Sequence, residues 1–315
     1  MTIFFAAVLF FAGTILIIKG GDIFIDAASW VSDVTGISRA VIGATIVSLA
    51  TTSPEYFVSL IATIKGHNDL SIGNAVGSLT ANIGIAFALL AIFTPGIIKD
   101  KLFGVKSIIM TVSTIILLLF CLNGTLSVIE GFVLLLLFGV STFINIRYSK
   151  DSEDDRKNKQ TNPRDITVNV IKFIGGAAAI VYGSNLIVDN AQVIASAMGV
   201  SEAVIGLTVV AIGTSLPEVV TSIAAIIKKQ NALSIGNIIG ANILDATLIL
   251  STGAFISSGN LTVSQSTVKT DLPVSILLMV MSTVPTVIGK KIYRWQGIMI
   301  AVVYAAYLLF VAVYS

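Results

Sequence analysis

Apolar residues along this chain come in continuous runs of 16 to 25, separated by short polar stretches. A helix crossing a bilayer core takes about 20 such residues. Ten runs qualify: Ile3 to Ile18, Ala40 to Ile64, Leu70 to Phe93, Ser107 to Leu122, Leu126 to Ile146, Ile166 to Val188, Ala203 to Ile227, Leu233 to Ile256, Leu272 to Ile288 and Trp295 to Tyr314. They do not alternate in polarity, which argues against the strands of a membrane β-barrel. The first run begins at once and carries no small-residue cleavage pattern, so it reads as a span and not as a removable signal peptide.

Composition agrees with this pattern. Of 315 residues, 55% are hydrophobic and 11% charged, whereas a soluble domain carries about a quarter charged residues. The expectation is an all-α, multi-pass membrane protein whose surroundings are the lipid bilayer, with no nucleic-acid or protein partner implied. Cys121 is the single cysteine, so no internal disulfide or thiolate cluster is possible. His67 is the single histidine and lies in the polar connection from Lys65 to Asp69. That excludes histidine-based metal sites and catalysis.

Charge then orients the chain. With ten spans, all 19 basic residues except Lys65 and Lys269 fall on the odd-numbered connections or the helix ends beside them. The positive-inside rule places those connections in the cytoplasm of a cell-membrane protein and both termini outside. Residues 149–164, rich in both signs of charge, read as a mobile cytoplasmic linker. A cation site on Glu153, Asp154 and Asp155 is the other reading, but interleaved basic residues favour a solvated linker. The linker separates residues 1–148 from 165–315, each with five spans.

The two halves repeat one another. The stretch from Gly43 to Glu55, Gly-Ala-Thr-Ile-Val-Ser-Leu-Ala-Thr-Thr-Ser-Pro-Glu, returns as Gly-Leu-Thr-Val-Val-Ala-Ile-Gly-Thr-Ser-Leu-Pro-Glu from Gly206 to Glu218. Both 218 − 55 and 208 − 45 give 163. The same offset pairs Gly20 with Gly183, Asp26 with Asp189, Ser59 with Ser222, and Ser71-Ile72-Gly73-Asn74 with Ser234-Ile235-Gly236-Asn237. Later, Glu130-Gly131 matches Gln296-Gly297 with a small shift. Copies with an odd number of spans insert in opposite orientations, so equivalent segments approach the midplane from opposite faces. The fold expected is ten transmembrane helices in two inverted five-helix repeats.

The repeated stretch interrupts its own hydrophobicity with hydroxyls, a proline and a carboxylate. Pro54 and Pro217 lack the amide hydrogen that would bond the carbonyls of Ala50 and Gly213, so each helix should kink there. In hydrocarbon an orphaned carbonyl is costly unless protein, water or an ion satisfies it. Ser48, Thr51, Thr52, Glu55 and Ser59 share one helix face, as do Thr214, Ser215, Glu218 and Ser222. The next span of each half adds Asn74, Ser78 and Asn82, or Asn237, Ala241 and Asp245. Of 17 acidic residues, Glu55, Glu218 and Asp245 lie deep in spans. A serine or threonine there can simply bond its own backbone, and a proline can be only a kink. A buried carboxylate is different, because it is expensive and marks function. Hard oxygens without sulfur or imidazole suit Ca²⁺, Na⁺ or a similar cation. Gly73/Gly77 and Gly236/Gly240 read as helix-packing pairs. Asp22, Asp26 and Asp189 read as interfacial.

At these residues the chain resembles the sodium/calcium exchangers of the cation/calcium exchanger superfamily, of prokaryotic type. Their repeats carry Gly-Thr-Ser-x-Pro-Glu and then Gly-Asn-x-x-Gly-Ser-x-x-x-Asn/Asp, and Gly213 to Glu218 matches the first signature fully. The resemblance implies Glu55 and Glu218 as central cation ligands. Thr51, Thr52, Ser78, Thr214, Ser215, Asn82 and Asp245 would surround them, with backbone carbonyls of Ser48 and Ala211. It also implies that the same oxygens bind Na⁺ and Ca²⁺ alternately, while helices 1 and 6 slide past a fixed core. Gly20-Gly21 and Gly183 are bending points or packing contacts in those helices. Ala50, Thr52 and Ser53 depart from the signature, and Ala241 lacks the hydroxyl of Ser78.

The function expected is Ca²⁺ export driven by Na⁺ influx, with these ions as substrates and no cofactor. A Ca²⁺/H⁺ or K⁺-dependent exchanger is the alternative, with Asp245 as the determinant; a cation channel is a third reading. An enzyme is disfavoured, since an intramembrane aspartyl protease needs two facing aspartates and a serine protease needs a base.

Overall fold

The computed structural model describes residues 3–98, 100, 102–147, 162–198, 213, 215–258 and 261–314. Eleven helices are described. These are α1 (Ile3–Thr35), α2 (Arg39–Thr51), α3 (Ser53–Ile64), α4 (Asn68–Phe93), α5 (Phe103–Cys121), α6 (Val128–Arg147), α7 (Pro163–Ala197), α8 (Leu216–Ile227), α9 (Asn231–Ile256), α10 (Thr267–Gly289) and α11 (Arg294–Tyr314). Eight of them, all but α2, α3 and α8, are long and apolar enough to cross a membrane. The protein is an all-helical membrane protein. Residues 199–212 and 214, which hold the front of the second repeated stretch, lie outside the described residues, as does most of the 149–164 linker. The end of that segment is helical, because Pro163 already opens α7, where a proline's fixed φ is tolerated.

Two expected boundaries are corrected. The first helix does not stop near Ile18 but runs 33 residues to Thr35, and the sixth extends from Pro163 through Ala197. At 1.5 Å per residue α1 is ~50 Å long. Of the two readings of Gly20-Gly21 and Gly183, bending points or packing contacts, the structure favours packing. A Cβ on Gly13 would meet the Gly183 carbonyl oxygen at 2.8 Å, and one on Gly20 would meet Ala179 Cβ at 2.8 Å and the Gly176 carbonyl oxygen at 3.1 Å. The contact pair Gly13 with Gly183 becomes Gly176 with Gly20 under the 163-residue offset. Both helices run on through these glycines, so close antiparallel approach is their role and not bending.

At the repeated stretch the chain does break. The apolar run from Ala40 to Ile64 divides at Thr52 (φ −83°, ψ −2°) into α2 and α3, with Pro54 in the first turn of α3. Pro217 occupies the same place in α8. Glycines bring α2 against α9: a Cβ on Gly43 would meet Asn237 N at 2.9 Å, and one on Gly240 would meet Ser48 Oγ at 2.6 Å.

Helices α4 and α9 form the centre. In their apolar windows 72% and 94% of residues are buried, against 17–39% in the other six long helices. Each contains a π-helical turn, Asn82–Phe87 in α4 and Leu244–Ile249 in α9. Two short antiparallel ladders join the halves, Gly96–Ile97 with Lys291–Ile292 and Thr125–Leu126 with Leu261–Thr262. They too exchange under the repeat, though with the small shift seen after the first spans: Gly96 opposite Ile292 matches Leu261 opposite Leu126 at offsets of 165 and 166 instead of 163.

Another proline shows how this interior accommodates broken helices. Pro285 lies inside α10 and cannot bond the carbonyl of Met281. The fully buried Gln296 of α11 supplies the donor instead, its Nε2 reaching Met281 O at 2.6 Å and Ser282 O at 2.6 Å.

Candidate functional site

The breaks at Thr52 and Ser215 set two carboxylates in the first turns of α3 and α8, where free backbone N–H groups and the helix dipole favour negative charge. Glu55 and Glu218 are 0% and 1% exposed, and Asp245 from the π turn of α9 is 0% exposed. Glu55 lies within electrostatic reach of both Glu218 and Asp245. Among the described residues none of these three acids forms an ion pair with a lysine or arginine.

Hydroxyls and amides knit the two halves together around them. Thr52 Oγ1 donates to Glu218 Oε1 at 2.9 Å, and Ser215 Oγ donates to Ser78 Oγ at 3.1 Å. Thr51 Oγ1 lies 3.3 Å from Ser48 O and 3.2 Å from Asn237 Oδ1. Asn82 Nδ2 donates to Asp245 Oδ2 at 3.3 Å. Asn82 and Asp245 are partners under the repeat, so this bond joins one position to its own copy. The Ser215 contact breaks the pattern: the counterpart of Thr52 on Glu218 is Ser215 on Glu55, but Ser215 turns to Ser78. Ala241, at the matching place in the other half, offers Thr52 no such alternative.

Five oxygens in this cluster have no hydrogen-bond partner among the described residues: both of Glu55, Glu218 Oε2, Asp245 Oδ1 and Asn82 Oδ1. Buried acceptors of this kind are expensive unless something positive meets them. All five are hard oxygens, the ligand type of Ca²⁺ and Na⁺. Among the described residues no three acidic, histidine or cysteine side chains are arranged to hold a metal ion by themselves. A cation here would share its shell with hydroxyl, amide and backbone oxygens.

Of the residues singled out in the sequence, Ser48, Thr51, Thr52, Glu55, Ser78, Asn82, Ser215, Glu218 and Asp245 are all buried, and the bonds above link eight of them. Thr214 and Ala211 lie outside the described residues. Asn237, fully buried against Thr51, was part of the expected polar face but not of the ligand set. Its counterpart Asn74 instead donates to Glu55 O at 3.1 Å and Ser59 Oγ at 3.0 Å. The Ser-Ile-Gly-Asn stretch that both copies carry was the signal for both.

The model of the sodium/calcium exchanger protein family matches residues 5–147 and 168–313 of this chain. An uncharacterized membrane protein of Methanocaldococcus jannaschii is 33% identical over 297 residues, 94% of each chain. The sodium/calcium exchanger MaX1 of Methanosarcina acetivorans is 28% identical, over 94% of this chain and 95% of its own. Among solved structures, the sodium-calcium exchanger NCX_Mj soaked with Na⁺ and Sr²⁺ superposes with a TM-score of 0.84 at 30% identity, covering 98% of this chain and 99% of that one.

Proposed function

We propose that this chain, which belongs to the sodium/calcium exchanger protein family, is a secondary antiporter that exports Ca²⁺ in exchange for entering Na⁺. The coarser activity, cation exchange involving Ca²⁺ across a membrane, follows from the family. The observation that carries the finer reading is the set of five unpartnered, fully buried oxygens on Glu55, Glu218, Asp245 and Asn82. Three carboxylates without an ion-pair partner among the described residues need cations or protons to be neutral, and a fixed cluster of that charge accepts either a divalent ion or several monovalent ones. Competition for one set of ligands means that either ion must leave before the other binds.

Glu55, Glu218, Thr51, Thr52, Ser78, Asn82, Ser215 and Asp245 act as ligands or position them, with Thr214 and the carbonyls of Ser48 and Ala211 completing the shell. Ten helices in two inverted repeats present this site alternately to the two sides. Both termini are extracytoplasmic. The exchanged contacts of α1 with α7 and of the two ladders support the inverted repeat, and the basic residues of the odd-numbered connections support the sidedness.

Asp245 keeps a second reading in view, since a third carboxylate could carry a proton or favour K⁺. Ca²⁺ uptake into proteoliposomes under an outward Na⁺ gradient, repeated with K⁺ varied and with a pH gradient alone, separates the two. Na⁺-driven uptake independent of K⁺ is expected; uptake driven by the pH gradient alone overturns the Na⁺ reading.

A further inference from the structure

Helices α1 and α7 form a pair whose mutual contacts exchange under the repeat, but that pair is seated unevenly on the remainder of the molecule. On one side α1 lies against α8: a Cβ on Gly21 would meet Ala224 Cβ at 3.3 Å and Val220 Cγ1 at 3.4 Å, and Ala224 is 7% exposed. The 163-residue offset turns Val220 and Ala224 into Phe57 and Ile61 of α3. Those two are 57% and 48% exposed. A symmetric body seated asymmetrically on a two-copy core has a second seat available, related to the first by the repeat.

Charge marks the occupied seat. Lys228, at the end of α8, donates to Asp26 of α1 at 2.7 Å and lies 3.8 Å from Asp22. Under the same offset Lys228 corresponds to Lys65 and Asp26 to Asp189, so the sequence carries the pair twice. Among the described residues the second pair is not formed, and Lys65 and Asp189 are both exposed. Lys65 is also one of just two basic residues on the side expected to be extracytoplasmic. Asp22, however, corresponds to Asn185, so one pair has two acids and the other has one.

We propose that Lys228 with Asp26, and Lys65 with Asp189, are two copies of one latch that close in alternation. Each fastens the α1 and α7 pair to the core on its own side, and this rests on the alternating-access reading above. The copies are unequal. With Asp22 in reach, Lys228 holds the stronger latch, and the ion-free protein favours closure on the Lys228 side. Solvent reaches these groups, so each latch shifts the equilibrium by a modest factor, about two- to fivefold, and does not lock it.

The test uses the full chain with Cys121→Ser and one added thiol, Ala224→Cys or Ile61→Cys, labelled by an impermeant maleimide from the nearer side without Na⁺ or Ca²⁺. Adding Lys228→Ala should raise the Ala224→Cys labelling rate about two- to fivefold and lower that of Ile61→Cys. Lys65→Ala should do the reverse. The charge swap Asp26→Lys with Lys228→Asp, made with Asp22→Asn so that no acid faces the new aspartate, should restore the rates of the Asp22→Asn protein. Changes of the same sign at both thiols, as general loosening would give, overturn the latch, as do unchanged rates or a swap that fails to restore those of its Asp22→Asn parent. Labelling needs no ion flux, so it reads the latch even where absent Na⁺-driven Ca²⁺ uptake has overturned the exchange reading.

Discussion

Glu55 and Glu218 owe their usefulness to the residue before each of them. A proline one position earlier starts a new helix, so each carboxylate sits in a first turn facing inward rather than mid-helix. Among the described residues no basic side chain pairs with either of them, so Glu55→Gln and Glu218→Gln should not unfold the protein. Removing a charged ligand from a desolvated site costs on the order of 3 kcal/mol or more, roughly a hundredfold. We expect Ca²⁺ flux in reconstituted vesicles to fall by at least that factor in each variant, with the size-exclusion profile and melting temperature of the wild type retained. The hydroxyls are not equivalent, although the repeat pairs them. Thr52 donates to a carboxylate and Ser215 to a hydroxyl, and a bond to a charged group is worth about 1.5–3 kcal/mol against about 1 for a neutral one. Thr52→Val should therefore weaken apparent Ca²⁺ affinity roughly tenfold or more and Ser215→Ala about fivefold, on that scale. Equal losses in a Ca²⁺ titration would show that both hydroxyls act as ligands and that the acceptor does not matter.

At the level of helices, the π turns and the proline repair were not legible in the sequence, for different reasons. A π turn leaves the apolar run unbroken, so Asn82 and Asp245 were found by their polarity while the local widening that aims them was not. Gln296 reads as an ordinary residue beside a basic connection until α11 is folded against Pro285. If its role is to replace the missing amide, Gln296→Leu should destabilise by about 1–3 kcal/mol, and less in a Pro285→Ala background, where Pro285→Ala returns a backbone donor. A thermal double-mutant cycle should show coupling of about 1 kcal/mol; additivity would assign Gln296 another role. The glycines were half legible. Packing was one of the two readings of Gly20-Gly21, but the end of the apolar run near Ile18 hid the helix's continuation to Thr35, and the sequence does not reveal that α7 lies close enough to require glycine. Gly176→Val, whose Cβ would enter Phe24 backbone at 2.8 to 2.9 Å, should cost about 1–3 kcal/mol. Gly175→Ala, with nothing within 4 Å, should cost nothing measurable by melting.

For the whole molecule, the repeat made more legible than any single motif did. It located both glutamates, paired Asn82 with Asp245 and required that equivalent contacts occur twice, as the α1 with α7 packing and the two ladders do. What it could not supply was the asymmetry of one state, since a sequence repeat is equally compatible with either seat of the α1 and α7 pair. On the proposed exchange reading, the same acids would set the electrical behaviour of the cycle. Glu55, Glu218 and Asp245 move little charge themselves if they stay in the core, so the net charge crossing the membrane is set by the ions they exchange. Two Na⁺ per Ca²⁺ would be silent, whereas any larger number carries charge inward during Ca²⁺ export. Three carboxylates can be matched by three Na⁺, leaving one net charge per cycle, worth about 2.3 kcal/mol per 100 mV. Clamping proteoliposomes with K⁺ and valinomycin should then shift the Na⁺ gradient at which Ca²⁺ flux reverses, in proportion to the imposed potential. A reversal point that ignores potential would mean that one acid stays protonated throughout and that only two positive charges are exchanged.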